Sequence, residues 1–234
     1  MANVLLTILI PTLLAILAAL IATYRQPGKR LTSGVQHFAA GLVIAAVAEE
    51  LVPEMNSGHT IAMVLGFLLG VGLMLGIKVM ARKAEKMSVK SKVGTSGTML
   101  LLAVGIDLSV DGLLLGLAVG QGLLKSIGLI AALTLEIGFL VLSTTTTLLS
   151  RGSSTRSTLF KSIGVTMFFP VFAFCGYLFL SGLSGSALVA TISFAVAALL
   201  YLVVEELLVE AHEGEDTPWV TALFFLGFLV IFII

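Results

Sequence analysis

Charge is scarce in this chain: Asp, Glu, Lys and Arg make up 11% of its 234 residues, where a soluble domain carries about a quarter. With 58% of the residues hydrophobic, there is too little polar surface to cover a water-soluble globule, and the same composition excludes intrinsic disorder. A single cysteine, Cys175, excludes a disulfide framework and any cysteine-built zinc site. Net charge is also missing, since 13 basic residues balance 13 acidic ones, so nothing draws the chain to nucleic acid. G-x-S-x-G, H-E-x-x-H and phosphate-binding loop motifs are absent, which leaves an intramembrane enzyme or an ATP-driven pump without its chemistry. The composition that remains is that of a polytopic membrane protein and not an enzyme.

What the chain has in quantity is long apolar runs. Eight of them reach spanning length, at roughly 3–24, 33–54, 60–80, 97–119, 126–149, 158–182, 186–210 and 217–234. They do not alternate as barrel strands would, so they are expected to be helices. The first is not read as a secretion signal: it lacks a basic start, and Tyr24-Arg25 follows it in place of a small-residue cleavage site. Twelve of the 13 Lys and Arg fall in the loops after spans 1, 3 and 5, and Lys125 alone falls on the other side. The positive-inside rule makes the basic side cytoplasmic and turns both termini outward. The expectation is one membrane domain over residues 1–234 in a cell membrane, with a long polar cytoplasmic loop at about 81–96.

The acids are distributed differently from the bases. Glu49, Glu50, Asp107, Asp111, Glu136, Glu205 and Glu206 fall within apolar spans. A carboxylate at the bilayer centre costs roughly 2.5–3.5 kcal/mol, and the spans supply no basic partner. The expected partner is a cation from outside the sequence, a proton or a metal ion. Asp107 and Asp111 are four residues apart, so they share a helix face. They repel in water, and a divalent cation between them reverses that sign. Glu136 lies at similar depth on the next span, which a short loop makes an antiparallel neighbour. Glycines 105, 112, 116 and 120 on the fourth span suit close helix packing, and Gly112 equally suits a loosened turn.

One motif occurs twice. Glu49-Glu50-Leu51-Val52-Pro53-Glu54 in span 2 and Glu205-Glu206-Leu207-Leu208-Val209-Glu210 in span 7 share E-E-L-x-x-E at an offset of 156. Phe38-Ala39 and Phe194-Ala195 match at the same offset. Span 2 runs outward and span 7 inward, the mark of an inverted repeat. Spans 1–3 and 6–8 would then be the two halves around a central pair, spans 4 and 5. Acids would run from the outer face (Glu49, Glu50) through the centre to the inner face (Glu205, Glu206).

These residues resemble the ZIP (Zrt/Irt-like) family of divalent-metal transporters over nearly the whole chain. Asp107-Leu108-Ser109-Val110-Asp111-Gly112 is similar to the family's H-N-x-x-[DE]-G motif, with Asp107 and Leu108 in place of its His and Asn. Leu135-Glu136-Ile137-Gly138-Phe139-Leu140 stands where the family has H-E-x-x-H-E and keeps only Glu136. The span 7 motif is similar to H-E-x-x-P-E, and Leu51-Val52-Pro53-Glu54 to the family's L-P-E. The resemblance implies that Asp107 and Asp111 are ligands of the main site, Glu136 of the adjacent one, and that Glu205 and Glu206 lie on the cytoplasmic exit. With the motif histidines replaced, such a site is all oxygen, which suits magnesium, calcium and manganese better than an imidazole site does, although zinc also accepts carboxylates.

The expected function is a secondary transporter that moves a divalent cation (Zn, Mn, Fe or Cd) inward by alternating access around this site. The ion is cargo, and no cofactor is expected. Protons, the bilayer and a second copy in a homodimer are the other partners left open, with no nucleic acid. Two alternatives stand beside it: a proton-coupled transporter of another substrate that uses the acids as a relay, and a non-transporting relative. His212, followed by Glu213, Glu215 and Asp216, is read as a solvated loop before it is read as a metal-catching one.

Overall fold

The computed structural model describes residues 2–25, 28–90, 96–122, 127–212 and 217–233. Among them there is no strand. The helices in chain order are α1 (Ala2–Tyr24), α2 (Lys29–Ala46), α3 (Val52–Met55), α4 (Thr60–Lys90), α5 (Ser96–Gly120), α6 (Ile127–Ser150), α7 (Thr155–Thr166), α8 (Phe168–Leu180), α9 (Gly185–Leu202), α10 (Leu208–His212) and α11 (Pro218–Ile231). Seven helical stretches are long and apolar enough to cross a bilayer; α2 with α3, α7 with α8, and α9 with the turn after it each count as one. α11 is apolar but has 14 residues, about 21 Å of helix against a hydrocarbon core of about 30 Å. The chain is an all-helical, multi-pass membrane protein. Its outer helix faces are apolar, as on α4, where Leu68 is 61% exposed.

Among the described residues, three local features depart from straight α-helix. The first two are π turns, Val47–Leu51 between α2 and α3 and Val203–Leu207 between α9 and α10. In each the closing bond skips an extra residue, from the Val52 N–H to the Val47 carbonyl and from the Leu208 N–H to the Val203 carbonyl. Pro53 follows the first, but Val209 holds the matching place after the second, so proline is not their common cause. The third is the break at Met167 between α7 and α8. Pro170 lies three residues on and has no N–H to offer the Thr166 carbonyl, which interrupts the ladder there.

The sequence predicts a loop at 81–96, and the structure differs: α4 continues to Lys90. The apolar run 60–80 simply extends into residues of good helix propensity (Ala, Arg, Lys, Glu, Met). Residues 91–95, the rest of that loop, lie outside the described residues, as do Glu213, Glu215 and Asp216.

Packing is by close pairs: α1 with α6, α2 with α11, α4 with α9 and α5 with α8. Glycine permits this approach. A Cβ on Gly116 would sit 2.1 Å from the Ala173 carbonyl oxygen, and one on Gly176 would sit 2.5 Å from that of Leu113. α5 passes through Gly112 unbroken, and a Cβ there would sit 2.5 Å from the Phe169 oxygen. Gly112 therefore serves close packing against α8, without a loosened turn. The same device recurs in two other pairs. A Cβ on Gly227 (α11) would sit 2.1 Å from the Phe38 oxygen on α2, and one on Gly70 (α4) 2.6 Å from the Phe194 oxygen on α9.

Candidate cation site

α5 and α6 carry the buried acids at the middle of the bundle. Asp107 is 5% exposed, Asp111 2% and Glu136 0%. One turn of helix separates the two aspartates on α5, and Glu136 meets them from α6. Glu206, in the second π turn, completes the group: Asp107 and Asp111 each feel its charge, and Glu136 feels the charges of Asp111, Asp107 and Glu206. Four carboxyl groups from three elements thus lie within range of one another's charge.

Their hydrogen bonding is incomplete. Among the described residues, neither oxygen of Glu136 has a hydrogen-bond partner, and Oδ2 of Asp111 has none. Dehydrating a carboxylate costs several kcal/mol unless it is paired or protonated, so a group of this kind requires a counter-charge or bound protons. Among the described residues, however, no three or more His, Cys, Asp or Glu side chains are gathered as a ready metal-ligand set.

Two cavities meet at Glu206. One, of about 110 Å³, is lined by Asp107, Glu205, Glu206, Lys78 and Tyr201 with apolar residues of α4 and α5. The other, of about 20 Å³, is lined by Glu136, Glu206 and Gln36 with Phe139, Leu140, Leu202 and Leu207. The larger takes its α4 wall from Met74, Ile77 and Lys78 and its α5 wall from Ala103 and Asp107.

The remaining acids have other surroundings. Glu50 Oε1 accepts the N–H of Leu129 at 3.2 Å, at the N-terminus of α6. Gly128 leaves room for it, since a Cβ there would sit 2.8 Å from that oxygen. Glu49 is exposed. Glu205 pairs with Lys78, whose ammonium also lies 5.8 Å from the Tyr201 ring centre. This corrects the expectation that the intramembrane acids have no basic partner in the sequence. The sequence counts Lys78 with the charges of the loop after span 3, but the structure has it within α4, facing Glu205. Nothing in the sequence near residue 78 marks that pairing, because the two residues are brought together only by the packing of α4 on α9.

Sequence reasoning also missed Gln36. A polar residue near the start of an apolar span was the available signal. The hydroxyls on the inner part of α6 hydrogen-bond to their own helix: Thr144 to Leu140, Thr145 to Val141 and Thr146 to Ser143. Compared with known proteins, the chain matches no family model and no curated protein.

Proposed function

We propose that this protein is a secondary transporter of a divalent metal cation, built on a ZIP-like plan of eight membrane-crossing helices with an inverted repeat. The observation that carries the reading is Glu136: a fully buried carboxyl with no hydrogen-bond partner, facing Asp107, Asp111 and Glu206. Two carboxylates nearly neutralise a 2+ ion, and that attraction offsets the cost of taking the ion out of water. The ion would be cargo, held between Asp107 and Asp111 with Glu136 and Glu206 beside them. All donors in this group are oxygens, so manganese and iron are expected to compete well with zinc and cadmium.

The repeat is supported by more than the motif. Exchanging span 1 with 6, 2 with 7, 3 with 8 and 4 with 5 turns the α2–α11 pair into the α4–α9 pair, and the α1–α6 pair into the α5–α8 pair. Each half also places the E-E-L run in a π turn, a bulge often found at functional sites. In this reading the cavity at Asp107 and Glu206 is the open, cytoplasmic side, and Glu50 on the α6 N-terminus belongs to the closed, outer side. Both termini face outward, in a cell membrane.

The test is uptake of Zn²⁺ and Mn²⁺ by proteoliposomes. Asp107→Ala and Asp111→Ala should each abolish it; transport at the normal rate in both would refute the proposal. The lack of a ready three-ligand set favours one competing reading, a proton relay serving another substrate. Proton flux that continues with all divalent metal chelated would select that reading instead.

A further inference from the structure

We propose that His37 and His212 form a second metal site, of imidazole type, at the end of the bundle where α2 meets α10. The two elements are tied there: the Ser33 hydroxyl donates to the Ala211 carbonyl at 2.5 Å. His37 is 1% exposed, whereas His212 is exposed. Their ring centres are 5.0 Å apart with the planes tilted by 56°.

The hydrogen bonds set the tautomers. His37 Nδ1 is 2.9 Å from the Ser33 carbonyl oxygen, and His212 Nδ1 is 2.5 Å from that of Leu208. A carbonyl only accepts, so both Nδ1 atoms carry hydrogen and donate it. In the neutral ring the lone pair is then on Nε2. For His37 that atom is buried and has no hydrogen-bond partner among the described residues. This is how metal-binding histidines are usually prepared: one ring nitrogen donates to a backbone carbonyl, which fixes the ring and raises the basicity of the other.

The spacing fits as well. Two imidazoles on one tetrahedral zinc, with Zn–N at about 2.0–2.1 Å, hold their ring centres about 5 Å apart. An ordinary ring contact accounts for the distance too, but it does not account for an unpartnered, buried Nε2 on a ring whose other nitrogen is fixed. The pair supplies two of the four tetrahedral positions, and water or a neighbouring group fills the others. Nitrogen donors select zinc, nickel and copper more strongly than the oxygen donors of the central group do. Gln36, the residue before His37, lines the small cavity shared with Glu136 and Glu206. A place on the exit path rests on the transport reading above; the binding of metal does not.

The experiment titrates the full chain in detergent with Zn²⁺, and with Co²⁺ as a visible-light probe. Wild type should bind one more Zn²⁺ than His212→Ala or His37→Gln, or bind that equivalent at least about tenfold more tightly, a change worth 1.4 kcal/mol. His212 is exposed, so its substitution leaves the fold intact, which circular dichroism checks. His212→Cys should keep the site and add a sulfur-to-cobalt charge-transfer band, a signal that a packing role would not produce. An Asp107→Asn/Asp111→Asn double variant should keep the site whatever it does to uptake, so failure of the transport reading and failure of this one are told apart. Unchanged Zn²⁺ stoichiometry and affinity in both histidine variants, or no cobalt–thiolate band in His212→Cys, overturns the proposal.

Discussion

The two E-E-L-x-x-E segments share a sequence and a backbone, yet their acids have opposite surroundings. Both form a π turn of five residues, and both lead into a short helix. In the first, Glu50 takes the N–H of Leu129 at the start of α6, where the helix dipole also favours a negative charge. In the second, the equivalent Glu206 is half-buried, faces three buried acids and lines two cavities. The neighbouring glutamates differ in the same way: Glu49 is exposed, while Glu205 pairs with Lys78. The shared sequence therefore goes with a shared turn, and the helices packed around it decide what the acid does. In the proposed transport cycle the two segments would hold the same chemistry in two phases, one end sealed and the other open to the central acids.

The sharpest way to break this comparison is to neutralise the two equivalent glutamates separately. Glu206→Gln should lower metal uptake by at least about tenfold, or 1.4 kcal/mol of barrier, because it removes charge from the central group. Glu50→Gln should cost far less, about 1 kcal/mol of sealing at the outer end, the usual scale for a helix-cap contact. It should show as greater labelling of cysteines placed near Gly128, with uptake largely kept. Equal loss of uptake in the two variants would mean that Glu50 also serves the central group, and the contrast would fail. A second effect, on stability, should be the same in both halves. Gly227→Ala and Gly70→Ala each force a Cβ onto a backbone carbonyl of the partner helix, and overpacking of this kind costs about 1–3 kcal/mol. Thermal unfolding in detergent should fall by similar amounts for both; a loss confined to one would argue against equivalent halves.

The helices, the doubled motif and the burial of Asp107, Asp111 and Glu136 were legible from the sequence because each is a local or periodic signal. Apolar runs of spanning length announce helices, and a four-residue spacing places Asp107 with Asp111. What was not legible is what distant segments do when they meet. Lys78 looked like a loop-side charge because hydropathy ends at about residue 80, whereas hydrogen bonding and helix propensity carry α4 to Lys90. Glu50 looked like one more pathway acid, and only the approach of α6 gives it a backbone donor. The π turns were invisible for a further reason: Val-Ala-Glu-Glu-Leu and Val-Val-Glu-Glu-Leu read as ordinary helix by propensity, and the extra residue is accommodated by packing. His37 and His212 are 175 positions apart in the chain, and no spacing rule connects them.

The smallest effect expected tests whether the contrast between the halves is one state of an exchange. The second residue of α6 is Gly128, and the second residue of α5 is Gly97. Gly128 admits Glu50 to the α6 N-terminus, so a Cβ there presses on Glu50 Oε1 at 2.8 Å and on Ile231 at 3.0 Å. Gly97 has no such neighbour, and a Cβ would make only an ordinary contact with Leu148 at 3.4 Å. Gly97→Ala should therefore leave stability within about 0.5 kcal/mol of wild type, while Gly128→Ala lowers it slightly. If the halves exchange roles during transport, Glu206 must reach the α5 N-terminus in the opposite state, as Glu50 reaches that of α6 in this one. Gly97→Ala would then obstruct a state not occupied here, and slow uptake a few-fold without changing the melting temperature. Single-turnover uptake measured beside thermal unfolding separates the outcomes: a slower cycle at unchanged stability supports the exchange, and unchanged rates would leave the two π turns alike in sequence but not in role.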